Sequence, residues 1–528
     1  MQTSPSKAPT TPLRHGIAGS AAGAAALLAI LALASCGGAP PSGAIANDTT
    51  RFYQEAYSGI AKYYIEPVQP GALAIAGLRN LTSIDATLSV EWSGSEVVAH
   101  HGLSSTHFSA PDARDAEQWA ELTETVLNWA RERSPAVAGL SPDGLDATVV
   151  EGSMTILDRF SHYAAPELAR ERRASRDGFG GIGVTLNAEG DGIRVVQIMP
   201  ETPAAEAGLQ VDDRILAIDG VETTALTREE VVRRLRGPNE SLIALAVTRA
   251  PSPKRLNFSM RRAHIVPPTV TLREENGIAH LRLSGFNQQT APSVADLLQQ
   301  AHRDMGASLR GLILDLRGNP GGLLDQSVEV ASLFLDATPV SSTIGRVPES
   351  IQYFAAPHRD VERLPMVVLV NGGSASASEI VAAALQDTGR AVVVGTASFG
   401  KGTVQNVQHL SNDAEMTVTW ARLLTPGGYV LHEHGVVPTV CTANLPEDGA
   451  GLGGALRDES TGLVRPRASL DEAGWRRLRA LCPGDREDHD VEVMAAKRVL
   501  DDPALYARAL GTSPAAALRP VATAGMVR

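Results

Sequence analysis

One stretch of the sequence decides the fold: Met366-Val-Val-Leu-Val-Asn-Gly-Gly-Ser-Ala-Ser-Ala-Ser-Glu-Ile380. Its apolar start is typical of a buried strand, and a helix is predicted to follow from Ser376 to Gln386. Small residues at such a turn let a hydroxyl project, and the helix N-terminus adds partial positive charge. Ser376 could act as a nucleophile, with its own N–H or that of Ala377 as an oxyanion donor. The alternative is that the serines merely cap the helix.

A strand followed by a helix recurs through residues 265–440. The predicted strands and helices alternate in this order: Ile278–Leu283, Ala291–Arg303, Gly311–Leu316, Gln326–Leu335, Met366–Val370, Ser376–Gln386 and Ala391–Val394. This order predicts an α/β fold with a mainly parallel sheet and helices on its faces. In such sheets the chemistry lies in the loops that follow the carboxyl ends of the strands.

A single lysine follows the last of these strands. Lys401 stands between two glycines in an otherwise uncharged stretch. Desolvation in a loop beside the serine turn would lower its pKa toward neutrality, and the neutral amine could accept a proton from serine. Gln405 is near enough in sequence to orient the amine by accepting a hydrogen bond. The alternative is a solvated loop lysine.

A third loop, Asp315-Leu-Arg-Gly-Asn-Pro-Gly-Gly322, follows strand Gly311–Leu316. Gly321 and Gly322 permit a backbone shape that other residues resist, and they can present N–H groups inward as a second oxyanion donor. Asp315 and Arg317 are expected to hold the loop by an ion pair. All three loops are thus predicted to meet at one edge of the sheet.

Other chemistries fit the sequence less well. The chain has no G-x-S-x-G elbow, and His432 and His434 lack the i, i+4 spacing of a zinc-binding helix. Lys401 is followed by glycine, so no ATP-binding P-loop is present, and we expect no metal and no cofactor. The 528 residues have a net charge of −12, which argues against a nucleic-acid partner.

The three loops, in this order and spacing, resemble those of the bacterial carboxyl-terminal processing (tail-specific) peptidases. The resemblance covers about residues 50–445 and implies a crotonase-like or ClpP-like α/β core. It implies a Ser-Lys dyad assisted by glutamine, which here corresponds to Ser376, Lys401 and Gln405. The oxyanion donors would be the backbone N–H groups of Ala377 and of Gly321 or Gly322.

Residues 177–262 contain glycines, short strand-like runs and two short helices, which together indicate a half-open barrel. The stretch Gly178-Phe-Gly-Gly-Ile-Gly-Val184 resembles the start of the PDZ domain that such peptidases carry. Amides around Gly181, Ile182 and Gly183 would bind the terminal carboxylate of a peptide that adds to the sheet edge. The alternative is a turn that closes a small barrel. Before this domain the chain has Leu-Asp-Arg-Phe-Ser161, where relatives commonly have Leu-Asp-Pro-His-Ser.

The N-terminus indicates export. Residues 1–36 combine a basic start, an apolar run and the tetrad Leu-Ala-Ser-Cys36, which resembles a bacterial lipobox with Cys36 as the lipidated residue. The alternative is an ordinary cleaved signal. In an oxidising envelope compartment Cys441 and Cys482 could form a disulfide, although two free buried thiols are equally compatible with the sequence.

The predicted architecture is thus α/β (α+β, multidomain). It comprises a lipoprotein signal (1–36), an N-terminal helical region (50–175), a PDZ domain (177–262), a serine peptidase core (265–440) and a helical C-terminal extension (441–528). The predicted function is an envelope serine endopeptidase acting on proteins with accessible C-termini. It would be anchored by lipid on the periplasmic side, with the outer membrane favoured over the inner. A homo-oligomer or an adaptor lipoprotein partner is compatible with the sequence. The alternative function is a catalytically inactive, PDZ-containing envelope adaptor.

Overall fold

The computed structural model describes residues 48–189, 192–443, 445–446, 470–487 and 489–511. The predicted signal and Cys36 lie outside these residues. Within these ranges, no helix combines the length and the apolar character needed to cross a membrane.

The first module contains more than the predicted helices. Its elements are α1 (Asp48–Tyr63), α2 (Pro70–Arg79), β1 (Leu88–Ser93), β2 (Glu96–His101), β3 (Ser104–Ser109), α3 (Ala116–Arg133), α4 (Pro135–Ala138), α5 (Pro142–Met154), β4 (His162–Ala164) and α6 (Pro166–Asp177). Strands β1 to β3 form an antiparallel sheet that the sequence analysis missed. The aromatic side chains of α1 are buried, except that Tyr63 is half-buried.

The second module is the predicted PDZ-like unit. Its elements are β5 (Phe179–Gly181), β6 (Val184–Glu189), β7 (Gly192–Ile198), α7 (Pro203–Glu206), β8 (Arg214–Ile218), β9 (Val221–Glu222), α8 (Arg228–Leu235), β10 (Leu242–Arg249), β11 (Ser252–Arg261) and β12 (Ala263–Ile265). The main sheet has the order β11-β10-β8-β7-β6, so β6 is an edge strand. Thr227 and Glu230 form a capping box at the start of α8.

Strands β5 and β12 pair with each other where the chain enters and leaves this module. They form an antiparallel two-stranded ribbon between Phe179–Gly181 and Ala263–Ile265. The ribbon joins the PDZ-like unit to the rest of the chain.

The core is built on the predicted parallel sheet. Its elements are β13 (Val270–Glu275), β14 (Ile278–Leu283), α9 (Thr290–Met305), β15 (Gly311–Asp315), α10 (Leu324–Ser332), β16 (Pro339–Gly345), β17 (Gln352–Ala355), β18 (Met366–Val370), α11 (Ala377–Asp387), β19 (Val392–Gly395), β20 (Thr403–His409), β21 (Glu415–Leu424) and β22 (Val440–Cys441). The main sheet has the order β13-β14-β15-β18-β19-β22, and only β13 is antiparallel to its neighbour. Helices α9, α10 and α11 bury their apolar faces against one side of it.

A second sheet, which the sequence analysis did not predict, packs beside the first. It is antiparallel, with the order β17-β16-β21-β20, and β4 of the first module pairs with β21. Arg173 and Arg176 of α6 reinforce this junction because both form ion pairs with the buried Glu415 of β21. The second sheet therefore ties the first module to the core.

The described part of the predicted helical C-terminal extension forms α12 (Glu472–Leu481), α13 (Asp490–Asp501) and α14 (Pro503–Ala509). Side chains of α13 and α14 cover the face of the main sheet opposite to α9–α11. Cys441 and Cys482 are joined, with an S–S distance of 2.11 Å. The extension is thus attached both by packing and by a covalent link.

Candidate active site

The serine turn is held in a strained conformation. Ser376 precedes the first residue of α11 and has φ 55° and ψ −115°, a backbone region that costs a non-glycine residue about 1 to 3 kcal/mol. Such strain persists only where the surrounding structure enforces it, and it is typical of functional sites.

The three serines of the turn have different surroundings. Ser374 is buried and donates its hydroxyl hydrogen to the Leu316 carbonyl at 2.8 Å. Ser378 is also buried and donates to the Asn319 carbonyl at 2.9 Å. Only Ser376 lines a cleft. Ser374 and Ser378 therefore fasten the turn to the glycine loop (residues 315–322), whereas Ser376, although it is the N-cap residue of α11, is the one of the three whose side chain faces the cleft.

Glu379 joins the serine turn (residues 371–376) to the lysine loop (residues 396–402). Its side chain is fully buried, and its Oε2 accepts hydrogen bonds from the backbone N–H of Ser376 at 2.8 Å and of Lys401 at 2.9 Å. Its Oε1 accepts from the Gly400 N–H at 2.7 Å and from the Ser398 hydroxyl. The two amide nitrogens that share Oε2 can be no farther apart than the sum of their two distances to it. One carboxylate thus keeps the backbones of the two predicted catalytic residues close together.

Glu379 stands three residues after Ser376 in the sequence, and no role is predicted for it above. The available signal was a glutamate three residues after a helix-capping serine, which is the pattern of a capping box. Burial raises the pKa of Glu379, and its four hydrogen-bond donors oppose that shift. Four donors facing both oxygens suit a carboxylate, which only accepts hydrogen bonds.

Lys401 is half-buried, as its predicted role requires. Burial lowers the pKa of its amine below the ordinary value, and the negative charges of Glu379 and Asp158 oppose this shift. Its Nζ lies 5.5 Å from the centre of the Phe160 ring. Phe160 and Asp158 belong to the stretch Leu-Asp-Arg-Phe-Ser161, which differs from the Leu-Asp-Pro-His-Ser motif common in relatives. The differing stretch therefore lies beside Lys401.

Gln405 lines the same cleft as Ser376. Its Nε2 donates to the Thr403 hydroxyl at 2.8 Å and to the Thr419 hydroxyl at 3.4 Å. Thr419 in turn donates to Asp158 at 3.1 Å. The residues that the structure describes include no hydrogen bond between Gln405 and Lys401, and the orienting role of Gln405 stays a prediction.

The glycine loop lies directly against the serine turn. A Cβ atom at Gly321 would lie 2.8 Å from Ser376 Cβ and 3.0 Å from the Ala377 nitrogen. The Gly321 N–H is occupied because it donates to Asn319 Oδ1 at 2.9 Å. In the described part of the chain, the N–H groups of Ala377 and Gly322 have no hydrogen-bond partner. Of the two predicted glycines, Gly322 is therefore the one with an available donor.

Asp315 and Arg317 hold this loop, as predicted. Two hydrogen bonds join the guanidinium to the carboxylate, at 2.9 and 2.7 Å, and Asp315 is fully buried. Burial alone would raise the pKa of Asp315, but hydrogen bonds from Arg317 and His280 lower it well below its usual range. Arg317 also pairs with the buried Glu492 of α13 at 2.7 Å.

The cleft in front of these loops has a volume of about 930 Å³. Its walls come from the glycine loop, the start of α11, the second sheet and α6. Apolar side chains such as Phe286, Ile380 and Leu423 make up much of the lining. The cleft therefore suits an extended chain with apolar side chains.

The predicted carboxylate-binding amides lie at the N-terminal end of the edge strand β6. Gly181 pairs with Ala263 in the ribbon, whereas Ile182 and Gly183 lie between β5 and β6. Among the described residues, the N–H groups of Ile182 and Gly183 have no hydrogen-bond partner. Gly183 has φ 82°, and a Cβ there would lie 2.4 Å from Thr202, so glycine is required.

Comparison with known proteins agrees with this architecture. The family described as Peptidase family S41 matches residues 277–442, and the PDZ domain family matches residues 194–249. A carboxy-terminal-processing protease of Bartonella bacilliformis is 37% identical over 360 residues, which are 66% of this chain and 81% of that protein. A carboxyl-terminal-processing protease of a Synechocystis species is 36% identical over 300 residues, 55% and 69% of the two chains. The solved photosystem II D1 C-terminal processing protease aligns with a TM-score of 0.38 and 22% identity, over 74% of this chain and 92% of that one.

The α/β core and the attached PDZ domain, with these matches, define a serine protease that carries a peptide-binding module. None of the findings supports the inactive-adaptor alternative. More particularly, the chain belongs to Peptidase family S41 and is a serine protease of the carboxyl-terminal-processing type.

Proposed function

We propose that Ser376 is the nucleophile and Lys401 the general base of this protease. The observation that carries the proposal is the shared acceptor Glu379, whose Oε2 binds the backbone N–H groups of both residues. Burial of Lys401 supports it, because a lowered pKa increases the fraction of neutral amine.

The reaction then has two halves. Ser376 Oγ attacks the peptide carbonyl carbon while its proton passes to Lys401 Nζ, and the oxyanion accepts hydrogen bonds from Ala377 and Gly322 N–H. The C–N bond breaks as the leaving amine takes the proton from Lys401, which leaves an ester on Ser376. A water molecule attacks this ester and gives a proton to Lys401. The ester bond breaks, Ser376 regains its proton from Lys401, and the new C-terminal carboxylic acid leaves and loses its remaining proton to solvent, which gives the carboxylate.

We also propose that the cleft receives substrates whose C-terminal end the PDZ domain has captured. In this arrangement the peptide extends the sheet along β6, and the N–H groups of Ile182 and Gly183 bind its carboxylate. Gly181 would shape the loop rather than donate. The exposed sheet edge and the two amides without partners support this assignment.

A matched pair of peptides tests the carboxylate contact. We expect an apolar-tailed peptide with a free C-terminus to bind the full-length Ser376→Ala protein at least about tenfold more tightly than its C-terminal amide. The reason is that a hydrogen bond to a charged group contributes about 1.5 to 3 kcal/mol. Fluorescence anisotropy measures both affinities without cleavage of the peptide. Equal affinities would show that the terminal carboxylate is not recognised.

We further propose that the protein is a lipoprotein of the bacterial envelope, anchored through Cys36 with its domains in the periplasm. The support is the basic, apolar and Leu-Ala-Ser-Cys order of residues 1–36. Cys36→Ser should move the protein expressed in a Gram-negative cell from the detergent phase to the aqueous phase in Triton X-114 partitioning. A variant that still partitions with detergent would argue against lipidation at this cysteine.

A further inference from the structure

Residues 470–487 contact both the serine turn and the lysine loop. They lie outside the span that matches the peptidase family, residues 277–442. The Gly372 N–H of the serine turn donates to the Asp485 carbonyl. The Asp485 N–H donates to the Thr396 hydroxyl at 3.1 Å, at the start of the lysine loop. A segment of the C-terminal extension thus bridges the two loops that bear Ser376 and Lys401.

Arg479 of α12 also contacts the lysine loop. Its Nη2 donates to the Ser398 carbonyl at 2.9 Å, and its Nη1 donates to the His434 carbonyl. The hydroxyl of the same Ser398 donates to Glu379. Arg479 therefore acts on the carboxylate that joins the serine turn to the lysine loop, through one intervening residue.

Gly435 permits this approach. A Cβ atom at Gly435 would lie 2.6 Å from Arg479 Nη1, 2.7 Å from Ser398 Oγ and 3.2 Å from Glu379 Oε1. A side chain at position 435 would therefore collide with the guanidinium and with the Ser398 hydroxyl that binds the buried carboxylate. The positive charge of Arg479 lies near Glu379 and balances part of the negative charge of its carboxylate.

The position of α12 is fixed at its end and along its side. Cys482 follows the last residue of the helix and is joined to Cys441 at the end of β22. Trp475 and Leu478 pack in a small core with Tyr429. Helix α12 thus has a covalent tether and an apolar contact that hold Arg479 against the loops.

We propose that Arg479 is a positioning residue for catalysis and that the Cys441–Cys482 link holds it in place. Through Ser398 and Glu379 it keeps the lysine loop correctly placed relative to the serine turn. This proposal rests on the roles proposed above for Ser376 and Lys401. Arg479 does not contact the cleft, so it affects turnover through geometry and not through substrate binding.

The test compares variants of the full chain on a fluorogenic peptide. Arg479→Ala should lower kcat about 10- to 100-fold and leave KM unchanged, because a small misplacement of reacting groups has effects of this size. Arg479→Lys should recover part of kcat, since lysine keeps the charge but lacks the planar fork that spans two carbonyls. The matched control is Arg477→Ala, an exposed residue of the same helix, which should keep wild-type kcat.

The double variant Cys441→Ala/Cys482→Ala should also lower kcat, but by a smaller factor than Arg479→Ala does. Thermal unfolding and binding of the free-carboxylate peptide establish which variants are folded. Wild-type kcat in folded Arg479 variants, or an equal loss in Arg477→Ala, would overturn the proposal. Ser376→Ala separates the test of the nucleophile from the test of the positioning role. If Ser376→Ala remains active, the proposed nucleophile is wrong. If Ser376→Ala is inactive and Arg479→Ala is fully active, only the positioning role is refuted.

Discussion

Ser376→Ala and Lys401→Ala should each lower kcat by at least about 10⁴-fold, because the members of a nucleophile–base pair act as a unit and losing either one removes most of the rate enhancement. The measurement is cleavage of an unstructured protein such as casein, followed by gel electrophoresis, and of a fluorogenic peptide for the rate constants. Thermal unfolding should show that both variants remain folded.

Two controls separate this prediction from its alternatives. Ser378→Ala removes a neighbouring hydroxyl that serves the fold, and the protein should remain measurably active. Lys254→Ala removes an exposed lysine of the PDZ domain and should leave peptide cleavage unchanged. If Ser376→Ala retains activity while Ser378→Ala loses it, the nucleophile has been assigned to the wrong serine.

The pH dependence checks the lysine independently. The neutral amine is the active form, so kcat/KM should rise as pH rises through the pKa of Lys401, which burial lowers. Asp158 opposes this shift by stabilising the ammonium form. Asp158→Asn removes the negative charge but keeps an oxygen acceptor, so it should lower the pKa of Lys401 further. The acid limb of the profile should move to lower pH, and a move to higher pH would contradict the proposed base.

Gly321→Ala should lower kcat by about 10²- to 10³-fold, the loss expected when an oxyanion donor is displaced. Gly321 has φ 102°, which side chains rarely adopt, and the added Cβ would lie 2.8 Å from both the Ala375 oxygen and Ser376 Cβ. The backbone must shift, and the shift moves the neighbouring Gly322 N–H as well as the serine. Peptide binding to the PDZ domain should not change.

Gly306→Ala is the matched control for backbone strain. Gly306 also has a positive φ, 51°, but a Cβ there would meet no atom within 4 Å. It follows α9, outside the three loops, and its replacement should leave kcat unchanged. If Gly321→Ala also keeps wild-type kcat, the glycine loop does not form the oxyanion site.

The sequence predicted the parallel sheet because its strands are short continuous apolar runs, such as Met366–Val370, that are buried on both faces. The three loops could be placed together for the same reason, since parallel strands end at one edge. The second sheet could not be predicted. Its strands pair across long separations, as β16 does with β21, and local patterns carry no information on such pairing.

The contacts that hold the site in place were also beyond the sequence. Three of the four partners of Glu379 lie about twenty positions further along the chain, so its role as a shared acceptor appears only in the folded protein. The same is true of Arg479, whose segment carried no recognisable motif. The antiparallel sheet β1–β3 was missed because much of it is polar and exposed, as in Ser104–Ser109, and its strands lack a continuous apolar run.

The ribbon of β5 and β12 brings the two ends of the PDZ domain to adjacent strands, about 5 Å apart in the hydrogen-bonding direction. A domain whose two ends are adjacent can be inserted into another domain, and it can be replaced by a domain with the same distance between its ends without distortion of the surrounding chain. Selection of the substrate tail and cleavage of the peptide bond can therefore diverge separately in evolution, each around its own hydrophobic core.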